Sequence, residues 1–200
     1  MPFVALAAVP AVVLAVAGAS ALAVVSLVLP LAVALFFRDP DRAPTSDGRA
    51  VLAPADGKVM FAGEAPAGAA PSGAWRQVTI FLSLLDVHIN RTPVAGRVTR
   101  VDYVPGTFVP AYRDAARKNE HSEIWIEHGG QTIICRQVVG VLARRILCRI
   151  GEGAEVTAGQ RYGIMKFGSR MDVFLPPDAM LKVSVGDKVV GGETVIATLA

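Results

Sequence analysis

The polar and apolar positions divide the chain into two unlike parts. Residues 1–37 carry no charge, and only Pro2, Pro10, Gly18, Ser20, Ser26 and Pro30 interrupt their apolar character. From residue 50 onward the apolar positions come in short runs broken by Gly and Pro, at intervals of about 8–15 residues. These runs predict strands over Gly57–Ala62, Gln77–Ser83, Gly96–Val104, Glu123–Glu127, Thr132–Val139 and Arg145–Ile150. Arg170–Leu175, Met180–Val183 and Glu193–Leu199 follow in the C-terminal part. Helical periodicity is poor; Tyr112–Asn119 and the stretch before Arg145 are the places for a short helix, and Pro66–Gly73 reads as a surface loop. The expected fold is mostly β, a barrel-sandwich-like β domain (38–200) with little helix, preceded by an N-terminal apolar helical membrane tether (1–37).

All 20 basic and 17 acidic residues follow residue 37. They amount to about 23% of the remaining chain, the share of an ordinary soluble domain. A polytopic transporter, a disordered chain and a small disulfide scaffold are thereby excluded. Spanning hydrocarbon takes about 20 helical residues, so 37 are too many for one straight span and barely enough for two. With Pro10, Pro30 and Gly18-Ala19-Ser20 as bend points, the tether reads as one tilted span or a tight helical hairpin. A secretory signal peptide is the rival, but there is no basic n-region and the apolar run continues past the small-residue sites to Phe37. Arg38, Arg42 and Arg49 crowd its end, which places the globular part on the cytoplasmic side of a cell membrane. Cys135 and Cys148 are too few for a framework and read as buried free thiols. A net charge of +3 suits an anionic membrane surface and is too small and dispersed to suggest nucleic acid.

The familiar catalytic patterns are missing. No two of His88, His121 and His128 stand three or four apart and the cysteines form no C-x-x-C, so no metal site is expected. There is no G-x-S-x-G elbow, Walker loop or G-x-G-x-x-G. What stands out is Gly168-Ser169 between two β-like runs, Gly163–Phe167 and Arg170–Leu175. Taken alone, such a glycine marks a bulge or turn.

Its setting says more. Ile164-x-x-Phe167-Gly168-Ser169-Arg170-x-Asp172-Val173-x-Leu175-Pro176 resembles the self-cleavage segment of the phosphatidylserine decarboxylases, in the form of their compact, short-chain subgroup. Four further motifs resemble the same family in the same order. They are Phe36-Phe37-Arg38-Asp39-Pro40-x-Arg42, Pro54-Ala55-Asp56-Gly57, and Phe81-Leu82-Ser83-x-x-Asp86-Val87-His88-x-Asn90-Arg91-x-Pro93-x-x-Gly96. The last is Gly106-x-Phe108 with Lys118-Asn119-Glu120. The resemblance implies a proenzyme cut between Gly168 and Ser169 into a large chain (1–168) and a small chain (169–200) that stay together as a heterodimer, with higher oligomers open. Ser169 becomes a covalent pyruvoyl group, no other cofactor is needed, and phosphatidylserine yields phosphatidylethanolamine and CO2 through an imine.

Because the family's two histidine roles cannot be carried onto separate residues, His88 is expected to serve both maturation and turnover, with Asp56 as its partner and Asp86 as the alternative. The second family histidine is replaced by Arg91. Asn90, Arg91, Phe108 and Asn119 are the candidate substrate-binding residues, and the lipid backbone, diacyl or ether, is left open. Two other classes compete. Pro54–Val59 and Val183–Glu193 resemble turns of biotinyl and lipoyl domains, so a membrane-tethered carrier using Lys166 beside Met165 is the alternative; an adaptor without chemistry is the third. The carrier leaves Gly168-Ser169-Arg170 unexplained.

Overall fold

The computed structural model describes residues 2–45, 47–141, 145–165 and 168–200, in two compact units, Met1–Pro40 and Asp41–Ala200. In the first, α1 (Pro2–Val16) contains Pro10 and is followed by α2 (Ser20–Ser26) and α3 (Val28–Phe36), both of which pack against it. The chain therefore folds back at residues 17–19. Ala11 and Ala23 are buried in this unit, and small side chains let helices approach closely. No helix among the described residues is long and apolar enough to cross a membrane. At 1.5 Å per residue, α1 reaches only about 22 Å.

The second unit is mostly β. Its strands are β1 (Ala50–Leu52), β2 (Gly57–Glu64), β3 (Arg76–Leu82), β4 (Ile89–Arg91), β5 (Gly96–Val104), β6 (His121–His128) and β7 (Gln131–Val138). After these come β8 (Ile146–Cys148), β9 (Glu155–Val156), β10 (Arg161–Met165), β11 (Ser169–Leu175), β12 (Met180–Leu181), β13 (Lys188–Val189) and β14 (Val195–Thr198). A curled eight-stranded sheet has the order β13-β2-β3-β11-β7-β6-β5-β9, and two three-stranded sheets, β1-β14-β12 and β4-β10-β8, complete the unit. Every strand pairing is antiparallel. The large sheet is open, and its edges are blunted by the two-residue strands β13 and β9.

The long strands follow the sequence expectation within a residue or two. Tyr112–Asn119 instead holds a 3₁₀ turn over Asp114–Lys118, the tight form that short helices without an apolar stripe adopt. The stretch before Arg145 lies, at 142–144, outside the described residues. The two carrier-like turns find a structural use: Gly57 pairs with Val189 and Lys58 with Lys188, so the segments meet in one ladder.

Side-chain alternation sorts the large sheet into two faces. Val78, Ile80 and Leu82 of β3, Met171, Val173 and Leu175 of β11, Ile133 and Cys135 of β7 and Ile124 and Ile126 of β6 form the core. The other face of the same strands carries a polar network. Thr79 Oγ1 donates to Asp172 Oδ1 at 2.8 Å, and Arg170 Nη2 pairs with Asp172 Oδ2 at 2.9 Å. All three residues are buried, so removing Asp172 strands a desolvated guanidinium. Asp172→Ala is expected to lower stability by about 3–5 kcal/mol, read by urea unfolding in a Ser169→Ala background so that both chains stay uncut.

Cys135 is wholly buried and Cys148 partly so. Burial pushes the Cys135 thiol from its ordinary 9.0 up to about 12, and that of Cys148 upward as well. The hydroxyl of buried Tyr162 donates to the Cys135 sulfur at 3.4 Å. A thiol reagent is expected to modify Cys148 slowly and to reach Cys135 only on unfolding, because the thiolate is the reactive species. The unfolded chain releases this proton near 9.0 and the folded one near 12, so this group makes stability fall as pH rises above about 9.

Candidate active site

Two chain segments run side by side in opposite directions. One is β3, the turn 83–88 and β4; the other is β10 and, resuming at Gly168, β11. Leu82 pairs with Ser169 at one end and Ile89 with Ile164 at the other, while the Met165 N–H donates to the His88 carbonyl at 3.3 Å. The turn that carries His88 is thus held between these two pairings, with Gly168 directly before the Leu82–Ser169 pair.

Within that turn the Ser83 N–H donates to the Asp86 carboxylate at 2.7 Å, and His88 Nδ1 lies 2.8 Å from the Asp86 carbonyl oxygen. A carbonyl only accepts, so Nδ1 carries the proton and the lone pair of the neutral ring falls on Nε2. The imidazole is 1% exposed. Asp86 therefore acts on His88 through its backbone, while its carboxylate shapes the turn.

Ser169 opens β11 on the core side of the sheet, in line with Met171 and Val173. It is fully buried, and its Oγ has no hydrogen-bond partner among the described residues. Leaving a buried hydroxyl unmatched costs about 1–3 kcal/mol, and such groups call for a functional account. Gly168 before it has φ +69°, a left-handed conformation that disfavours any residue with a Cβ.

The other candidate residues separate into distinct environments. The Asp56 carboxylate receives both the Arg42 guanidinium (2.8 Å to Oδ2) and the Gly191 N–H (2.8 Å to Oδ1), tying the chain after the first unit to the β13 turn. Arg42 also lies 3.6 Å from Glu193. Arg91 is buried and donates to the Gly159 carbonyl at 3.0 Å. Asn90, fully buried, accepts from Gln137 Nε2 at 2.8 Å. Asn119 is also buried: its Oδ1 accepts from Thr107 Oγ1 and the Val109 N–H, and its Nδ2 donates to the Val109 and Val139 carbonyls. It pins the loop of Phe108, a residue 37% exposed, to the end of β7. Lys166 and Phe167 lie outside the described residues.

Two residues near the site have no place in the sequence reading. Gln137 follows Ile133 and Cys135 at an inward position of β7, and a polar residue in that alternation is a signal the sequence does carry. Gly140, two residues past β7, gives no such signal.

The chain matches the phosphatidylserine decarboxylase family over residues 29–197. It is 42% identical over 200 residues to the phosphatidylserine decarboxylase proenzyme of Geotalea uraniireducens, covering 99% of this chain and 93% of the relative. The proenzymes of that name from Burkholderia mallei and Geobacter metallireducens are 40% and 41% identical, over 99% of this chain and 92% and 94% of theirs. With the family's motifs in order along it, this chain belongs to the phosphatidylserine decarboxylase family.

Proposed function

We propose that this chain is a proenzyme that cuts itself between Gly168 and Ser169 and then decarboxylates phosphatidylserine to phosphatidylethanolamine. The observation that carries the reading is the buried, unmatched Ser169 hydroxyl, preceded by a glycine at φ +69° and laid beside the His88 turn. The residues fit a pyruvoyl group at position 169, since the hydroxyl that would give rise to it has no structural partner to lose.

In maturation, His88 Nε2 takes the proton of Ser169 Oγ as it attacks the Gly168 carbonyl carbon. The C–N bond breaks, the proton passes to the Ser169 nitrogen, and residues 168 and 169 are joined by an ester. Elimination frees Gly168 as a carboxylate; loss of ammonia and uptake of water leave a ketone at position 169. When present, the pyruvoyl group supplies an electron sink for decarboxylation of a primary amine. In turnover His88 holds the proton that must be returned to the substrate's α-carbon, with Nδ1 fixed on Asp86. The carboxylate of Asp56 is engaged by Arg42 and Gly191, so its part as partner of His88 rests on the family resemblance, as do the substrate-binding parts of Asn90, Arg91, Phe108 and Asn119.

Membrane binding belongs to the same reading. The first unit exposes Val12, Val16, Leu22, Val24 and Leu31, each more than half, a surface that water does not favour. Leu84, Leu85 and Tyr112, all more than half exposed, lie on the turn of His88 and the loop beside it. A tether lying in the cytoplasmic leaflet, with Arg38 and Arg49 at its end, holds the enzyme where its substrate stays. The two chains remain joined through the β3–β11–β7 ladders.

The test is release of CO2 from vesicles of phosphatidylserine labelled in the serine carboxyl group, with diacyl and ether lipids in parallel. Release by the wild type with appearance of phosphatidylethanolamine is expected; an inert, fully processed protein would refute the assignment.

A further inference from the structure

Two glycines meet at the proposed scissile bond, for different physical reasons. Gly168 needs its conformation: φ is +69°, yet beyond its chain neighbours no described atom lies within 4 Å of the place a Cβ would take. Gly140 needs its emptiness. Its φ lies outside the left-handed region, but a Cβ there would overlap the Gly168 carbonyl oxygen and stand 3.2 Å from the carbonyl carbon. The Ala111 Cβ closes the same spot at 3.6 Å. The hydrogen in place of that Cβ is directed at the oxygen, a weak Cα–H···O contact.

The segment bearing Gly140 is held in place. The Val139 N–H donates to the Glu120 carbonyl at 3.1 Å, and the Val139 carbonyl accepts from Asn119 Nδ2 at 2.9 Å. Gly140 is itself buried. A side chain at 140 has nowhere to retreat, so the Gly168 carbonyl must move instead.

We infer that Gly140 is a positioning residue for self-cleavage. Lacking a side chain, it seats the Gly168 carbonyl against the 139–140 backbone and so fixes which face of that carbonyl meets the Ser169 hydroxyl. This rests on the reading of Gly168–Ser169 as the bond that is cut. The step concerned is the acyl shift alone: the Oγ–C bond forms, the C–N bond breaks, the proton moves from Oγ to the amine, and no mass is gained or lost. Shifting a reacting carbonyl by about an ångström costs about 100-fold in rate. The left-handed conformation costs an alanine at 168 about tenfold.

The experiment follows cleavage of purified full-length wild type, Gly140→Ala and Gly168→Ala over time, with hydroxylamine added after denaturation to split any ester. Melting curves of Ser169→Ala with and without Gly140→Ala report the fold. The expected result is two chains from wild type, about tenfold slower cleavage in Gly168→Ala, and about 100-fold slower cleavage in Gly140→Ala without a hydroxylamine-sensitive ester. The double variant should keep a single melting transition, lowered by several degrees by the cost of moving the carbonyl. Cleavage of Gly140→Ala at near the wild-type rate would overturn the inference while leaving the cut site standing. So would accumulation of the ester, which places the block after the shift, or loss of the melting transition, which makes the glycine a requirement of the fold. An uncut wild type would overturn the cut site and this inference together.

Discussion

Ser169→Ala is expected to leave the protein as one uncut chain with no decarboxylase activity, while its fold persists. On the proposed reading the hydroxyl would be both the nucleophile of the acyl shift and the source of the reactive ketone, so no other group could make up for it. It holds no hydrogen bond among the described residues, and its removal leaves a methyl group where a small apolar side chain is welcome beside Leu82 and Met171. The variant should therefore melt at or slightly above the temperature of an uncut precursor, since deleting an unmatched buried hydroxyl removes a desolvation penalty. Gel electrophoresis, CO2 release and a melting curve check the three parts. A Ser169→Ala chain that still divides would place the nucleophile elsewhere.

His88→Asn is expected to slow self-cleavage by about 10²–10⁴-fold, the usual contribution of a positioned base. Asparagine keeps a donor near the position of Nδ1, so the bond to the Asp86 carbonyl and the turn 83–88 survive, while the lone pair of Nε2 is lost. The slow product, once formed, should also turn over poorly if, as proposed, the same ring returns the proton to the substrate. Time courses of cleavage and, on the processed fraction, CO2 release separate the two roles. Normal turnover by slowly formed enzyme would restrict His88 to maturation.

What the sequence reveals depends on how far each feature reaches along the chain. Strands of seven to nine residues, such as β3, β5 and β11, show alternation long enough to recognise. β9 and β13, two residues each, are defined by their neighbours and have no pattern of their own. The apolar length of residues 1–37 is plain, but the reversal of their chain depends on helix packing that leaves no polar trace. Ser169 and His88 are legible through motifs, and the pairing of β3 with β11 and of β4 with β10 brings their segments side by side. Asp56 shows the limit of residue type: its turn is evident in Pro54–Gly57, yet the partners that fix it, Arg42 and Gly191, come from distant segments. Gly140 lies further beyond reach, since its requirement arises from a carbonyl that the fold brings against it.

Intact-mass spectrometry of the purified wild-type protein tests the central claim most directly. The account predicts two masses, residues 1–168 with a free carboxylate and residues 169–200 lighter by one ammonia than a chain beginning with serine, its end blocked to sequencing. A single mass for the full 200 residues, in protein that releases CO2 from phosphatidylserine, would contradict it.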